Sequence, residues 1–358
     1  MRIKKFTVTR VTVAKRTHAK GKEKEMKVSR ADVAREAGVT PTTVSCVLNN
    51  TRPVSEKVRK QVMDAVEKLN YVWDFSSRAM RGKKTMQIVV IVNDLLNPFF
   101  ASMVKKMEEK FGGQGYSLSI SSETDIDKNV SVLLARKVDG VYFCSDIAEK
   151  DWEKLNTLVE NGIKVLTSPK IEYAKRQTTI DMDTESAVKG GVEYLYRSGH
   201  EKIAFLTSVA EGQVLDGREQ VYIEQMKLKG LTPKVIRIGK SAKLPTIELG
   251  RKLFNKIIEE KIDVSAIFGL NDLITIGAMM QAKDMGYDVP NDYSFLGIDG
   301  IYLSDIVSPK LTTFSCDMDV FSEKVFELLI NAISNEEFGN YIQPLKLTVG
   351  GSVKNIKG

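Results

Sequence analysis

Pro41, Thr42, Ser45, Cys46 and Asn49 are spaced to share the outward side of a short helix, while Val39, Val44 and Val47 anchor its inner side. Small hydroxyl and amide groups at a helix start suit one kind of contact. They exchange hydrogen bonds with phosphate oxygens and base edges, and the exposed backbone N–H groups favour an anion. Just upstream, Ala34 is small enough for a second helix to cross closely, and Gly38 tolerates the positive φ of a tight turn. The spacing from Ala34 to Val47 therefore predicts a helix-turn-helix, and its chemistry predicts a nucleic-acid duplex as partner.

Groups for covalent or acid–base chemistry are scarce. The chain has two histidines, His18 and His200, and three widely separated cysteines, Cys46, Cys144 and Cys316. That leaves no catalytic set, no metal-ligand spacing and no disulfide framework, and it points to a reducing, cytoplasmic setting. Gly112-Gly113-Gln114-Gly115 is a poor dinucleotide fingerprint, and Gly82-Lys83-Lys84-Thr85 lacks the upstream glycine of a phosphate loop. No catalytic residue, metal or cofactor is expected, and an enzyme is excluded. The basic N-terminus has no apolar segment behind it, and no apolar run reaches 18 residues, so neither a secretory signal nor a membrane partner is expected.

Charge is distributed unevenly over the 358 residues. Residues 1–84 hold 21 Lys or Arg against 8 Asp or Glu, whereas the other 274 hold 32 against 38. A basic head on a mildly acidic body is the footprint of a chain that grips a polyanion at one end.

The elements that must position these groups follow from patterning. Residues 1–27 are rich in Lys, Arg and Thr and read as a basic, disordered extension. Over 28–72, Ser29 with Asp32, then Thr40, then Ser55 provide three helix starts, each followed by apolar residues at spacings of three and four. Residues 73–84 form a polar, basic linker. From 85 to 354 apolar strands alternate with amphipathic helices. Strands are expected at 87–93, 117–121, 140–145, 164–168, 203–208, 235–239, 266–269 and 294–298, with helices such as 101–111, 151–161, 187–198 and 273–285. This alternation predicts an α/β body of two lobes with doubly wound parallel sheets, dividing near Asp181–Asp183, and a cleft at the strands' C-terminal ends.

The stretch DVAREAGVTPTTVSCVLN over residues 32–49 resembles the headpiece of the lactose/galactose repressor (LacI/GalR) family of bacterial transcription regulators. So do Val54-Ser55 and Leu69-Asn70-Tyr71. Likeness continues through Asn97-Pro98-Phe99-Phe100, Val138-Asp139-Gly140, Gly199-His200, Asn271-Asp272, Gly297-Ile298-Asp299 and the stretch from Pro309 to Thr313. The resemblance implies a three-helix headpiece, a hinge helix and a periplasmic-binding-protein-like body. It implies a homodimer on a palindromic double-stranded DNA operator. With no leucine heptad after Ser352, a dimer is expected and not a pair of dimers.

By the same resemblance the DNA-contacting positions are Thr40, Pro41, Thr42, Thr43, Ser45, Cys46 and Asn49, with Ser55 on the backbone, Arg78 in the hinge and Met80 as a minor-groove wedge. Cys46 stands where the family usually has Arg, the bidentate reader of guanine. Either the operator half-site differs or Cys46 is simply a half-buried small residue. Resemblance also places Arg218, Asn271 and Asp299 around a small-molecule effector, a sugar or nucleoside-like compound, with Phe99 or Phe100 stacking on it. Arg218 has a second reading as a surface residue at a helix start, and Asp272 is read as a helix cap and not as a ligand. Control by a protein partner such as a phosphocarrier, as in some family members, is the alternative to a small-molecule effector.

Overall fold

A computed structural model describes residues 28–49, 52–71, 84–145, 147–168, 177–210, 216–239 and 246–357. They divide into two compact units at residues 74 and 75.

In the first unit each helix begins where a side chain can satisfy its free N–H groups. Ser29 caps α1 (Arg30–Glu36): its hydroxyl accepts from Asp32 N at 3.3 Å, and the Asp32 carboxylate accepts from Ser29 N at 2.9 Å. The Ser29 hydroxyl, which also donates to the carboxylate at 2.6 Å, and the Ser29 N–H hold the Asp32 carboxyl below its ordinary value. Gly38 takes φ +64° and turns the chain. The Thr40 hydroxyl then accepts from Thr43 N at 3.1 Å to start α2 (Pro41–Asn49). Ser55 accepts from Val58 N to start α3 (Glu56–Lys68). Val33, Ala34, Ala37, Val44, Val47, Val62 and Ala65 close a small core. Lys68 pairs with Glu36 at 2.6 Å, tying α3 to α1.

The second unit holds two six-stranded sheets. In chain order its elements are β1 (Gln87–Val92), α4 (Pro98–Gly113), β2 (Ser117–Ser121), α5 (Ile126–Arg136), β3 (Gly140–Cys144), α6 (Trp152–Glu160), β4 (Lys164–Ser168) and β5 (Thr178–Met182). Then come α7 (Thr184–Arg197), β6 (Ile203–Leu206), α8 (Gly217–Leu228), β7 (Lys234–Ile236), α9 (Ile247–Glu259), β8 (Ala266–Gly269) and α10 (Asp272–Asp284). The last are β9 (Ser294–Asp299), α11 (Leu303–Ile306), β10 (Thr312–Ser315), α12 (Met318–Asn335), β11 (Asn340–Gln343) and β12 (Lys346–Thr348).

The sheets run β11-β5-β4-β3-β1-β2 and β12-β10-β9-β8-β6-β7, and every pairing is parallel except β10 with β12. Strand β1 shows why its apolar run is unbroken. Ile88, Val90 and Val92 face a core shared with Met103, Phe111, Val325 and Leu329, and Val89 and Ile91 face another under α5 and α6.

The division near Asp181–Asp183 is the first of three crossings between lobes. After β10 the chain returns to the first lobe as α12 and β11, where Thr179 N bonds Gly339 O at 3.1 Å and Lys106 of α4 pairs with Asp319 at 2.6 Å. It crosses again at Pro344 to form β12 on the second sheet. Three backbone segments thus join the lobes at one edge, the arrangement of a hinge. In the second lobe α9 and α10 approach at two glycines. A Cβ on Gly250 would lie 2.0 Å from Ile274 O, and one on Gly277 would lie 2.0 Å from Ile247 O.

Candidate functional site

Helix α2 buries Val44 and Val47 and leaves Thr40, Pro41 and Thr42 exposed, with Thr43, Ser45 and Cys46 half-buried. The Thr40 and Thr43 hydroxyls lie 2.9 Å apart. Ser45 donates to Pro41 O at 3.0 Å, while Arg30 of α1 donates to the same Ser45 hydroxyl at 3.0 Å. No acidic residue occupies the first turn of α2, so no side chain of that turn neutralises the positive end of its dipole. Asn49 closes the helix. Ser55 is exposed, although its hydroxyl is spent on capping α3. Cys46 is a free, half-buried thiol, which lacks the forked donor of an arginine. Arg78 and Met80 lie outside the described residues, as does the extension over 1–27.

In the body the C-terminal strand ends of both sheets face one cleft. On the first lobe, Asn97 caps α4 by accepting from Phe99 N at 3.0 Å. Phe99 is 4% exposed and packs into the core, while Phe100 is half-buried and meets it edge to face at 5.4 Å. Of the two rings, Phe100 is the one with a face left over. A cavity of about 180 Å³ also opens at the ends of β1, β2 and β3, lined by polar groups that include Asn93, Glu123, Asn129 and Ser145. None of these was singled out from sequence, because isolated amides and hydroxyls carry no spacing signal.

The second lobe supplies the charged wall. Asp216 caps α8 and grips the Arg218 guanidinium with both carboxylate oxygens, at 2.9 and 3.0 Å. Arg218 also donates to Leu270 O at 3.1 Å, which brings it beside Asn271. Burial is the largest single influence on the Asp216 carboxyl and raises it, but the Arg218 charge and the two hydrogen bonds from Arg218 together hold it below its ordinary value.

The capping role expected of Asp272 falls to Asn271. Asn271 caps α10 by accepting from Ile274 N at 3.0 Å, so its oxygen is occupied and its amide nitrogen is what it can offer a ligand. Asp272 is fully buried and caps nothing. It accepts from Gly300 N, Ile301 N, Ser304 and Thr313 at 2.6–2.9 Å. Burial pushes its carboxyl up to about 6 against the pull of those four donors. Those bonds brace the turn after β9, which presents Asp299 at φ 123°, a strained backbone for a residue with a Cβ. Asp299 is 7% exposed, and no described residue donates a hydrogen bond to its carboxylate. Burial, with Asp272 nearby, drives its carboxyl well above the ordinary value, while Arg218 pulls it down. Arg218, Asn271 and Asp299 therefore share one wall on the second lobe.

Two features now define the class of protein: a helix-turn-helix unit with a hydroxyl-bearing recognition helix, and a two-lobed body of periplasmic-binding type. Comparison with known proteins agrees. Residues 31–74 match the family model for bacterial regulatory proteins of the lacI family, and residues 192–353 match a periplasmic binding protein-like domain. The transcriptional regulator DegA of Bacillus subtilis is 31% identical over 301 residues, covering 80% of this chain and 86% of that protein. Catabolite control protein A of Priestia megaterium is 30% identical, covering 89% and 97%. The repressor PurR of Mannheimia succiniciproducens is 28% identical, covering 86% and 92%. In fold, the chain matches a lac repressor dimer bound to operator and an anti-inducer with a TM-score of 0.74 at 23% identity, covering 91% of this chain and 99% of that one.

The chain belongs to the lacI family of bacterial regulatory proteins, and it is a transcriptional regulator with a periplasmic-binding-protein-like body. No helix among the described residues is long and apolar enough to cross a membrane.

Proposed function

We propose that the protein is a repressor that binds a palindromic DNA operator as a homodimer and is controlled by a small polar metabolite, of sugar or nucleoside-like class, held in the cleft of the body. On DNA, Thr40, Pro41, Thr42, Thr43, Ser45, Cys46 and Asn49 face the groove, Ser55 contacts the backbone, and Arg78 and Met80 act from the linker. In the cleft Arg218, Asn271 and Asp299 bind hydroxyl or amide groups, and the free face of Phe100 stacks on the ring; Phe99 supports it from the core. A metabolite that binds one closure state of the lobes more tightly shifts the dimer between arrangements that fit or miss the operator. Coupling of about 1–3 kcal/mol is the usual scale for such control.

The observation that carries this reading is the pairing of an uncompensated helix start, bearing exposed hydroxyls, with a cleft wall that holds a buried, unbonded carboxylate. Gel shifts on genomic fragments at low salt, with and without a panel of sugars and nucleobases, test it. Retention of specific fragments that one class of compound releases is the expected result. Failure to retain any duplex, with the cleft empty or filled, overturns it.

A further inference from the structure

In the function proposed above α2 lies against the duplex, yet it carries no charge: Pro41 to Asn49 include no lysine, arginine, aspartate or glutamate. Its hydroxyls are engaged largely within the unit. Thr40 and Thr43 bond each other, and Ser45 donates to Pro41 O. An asparagine such as Asn49 suits adenine, and Cys46 offers only a thiol, so no side chain of α2 has the paired N–H donors that fit guanine O6 and N7. A guanidinium reaches the helix from α1 instead. Arg30 is half-buried; its Nη1 donates to the Ser45 hydroxyl at 3.0 Å, and its Nε is buried with no partner among the described residues. Ser29 and Arg35 hold the nearby Asp32 carboxylate, and no described carboxylate pairs with Arg30. Among the described residues the charge of Arg30 and the remaining N–H groups of Nη1 and Nη2 therefore stay uncommitted.

The anchor point decides what this guanidinium meets. Phosphate is favoured at the start of α2, where the backbone N–H groups are free. Ser45 lies in the second turn, three residues past the exposed Thr42, and a group held there stands over base edges. We propose that Arg30 is a specificity-determining residue of the DNA-binding unit. Its fork bonds O6 and N7 of one guanine in each operator half-site, and Ser45 is the positioning residue that aims it. The bond to Ser45 orders the long side chain before DNA arrives, so less freedom is lost on binding. This inference rests on the DNA-binding reading proposed above.

The test is selection of duplexes from a randomised library by the full-length protein, comparing the native chain with Arg30→Met, which keeps the apolar stem, and Ser45→Ala. The native chain is expected to fix a guanine at one position of each half-site. Arg30→Met should lose that preference and keep the others, and Ser45→Ala should blunt it. On the selected duplex, exchanging that G·C pair for A·T should weaken the native chain about tenfold and leave Arg30→Met nearly unaffected. Circular dichroism melts check that the variants are folded, and Arg30→Gln gives the same reading should the Met variant not fold. A phosphate contact has a different signature: Arg30→Met would bind every sequence more weakly, with a salt slope smaller by about one and the same site preference. That result, or no change at all in Arg30→Met, overturns the guanine assignment while leaving DNA binding intact. Selection of no duplex by the native chain overturns both.

Discussion

Asp272 and Asp299 sit side by side, and folding raises the carboxyl of each, yet removing their charges should have opposite effects. Asp272 is an acceptor surrounded by donors. Asp272→Asn turns part of that acceptor into a donor facing donors and should cost about 3–5 kcal/mol. No described residue donates to the Asp299 carboxylate, so Asp299→Asn removes a buried charge that Arg218 offsets only in part and should raise the melting temperature of the unliganded protein by about 2–5 °C. The sign of its pH dependence follows. A carboxyl raised by folding contributes stability that is fully present below its ordinary value of 3.8 and is lost as the pH climbs through the raised one. The advantage of the Asn variant should therefore be largest at pH 7.5 and shrink as the pH falls toward 4.5, read from melts of both proteins. Sequence alone could not assign these roles. Asn271-Asp272 contains two good capping residues in a row, and only the path of the chain after β9 decides which one turns inward.

Helix and strand signals were legible where they are local. Ser29, Thr40 and Ser55 mark their helices through side chains that bond the next turn. Strands β1, β3, β4 and β8 are apolar on both faces because both faces are covered. By contrast β11 and β12 are edge strands of four and three residues with exposed positions, so they lack the apolar run that announces a strand. β5 and β10, rich in threonine and also short, went unmarked for a related reason. The α9–α10 crossing was equally silent, since a lone glycine in a helix looks like a weakness until its neighbour is known. Gly250→Ala and Gly277→Ala each drive a methyl into a backbone carbonyl, 2.0 Å away. Each should destabilise the body by about 3 kcal/mol or more, lowering its calorimetric transition while leaving the helix-turn-helix unit unchanged.

At the level of the whole chain, the charge layout makes a prediction about affinity and salt. The excess of basic residues before position 85 should give operator binding a steep negative slope of log affinity against log salt, close to −0.9 for each phosphate neutralised on duplex DNA. A titration series by fluorescence anisotropy between low and physiological salt checks it, and a slope near zero would mean that the basic head does not touch the phosphates.

The three passages between lobes also impose an order on biosynthesis. The first lobe needs α12 and β11, which leave the ribosome long after β1 to β5, and β11 supplies the edge against which β5 pairs. A nascent chain can therefore complete neither lobe in turn, because the second receives β12 only after the first has been closed. Both should mature together after release, with the early strands awaiting their last partner, and a stop codon placed anywhere before residue 340 should leave two incomplete sheets where a simpler bead-on-a-string layout would leave one finished module.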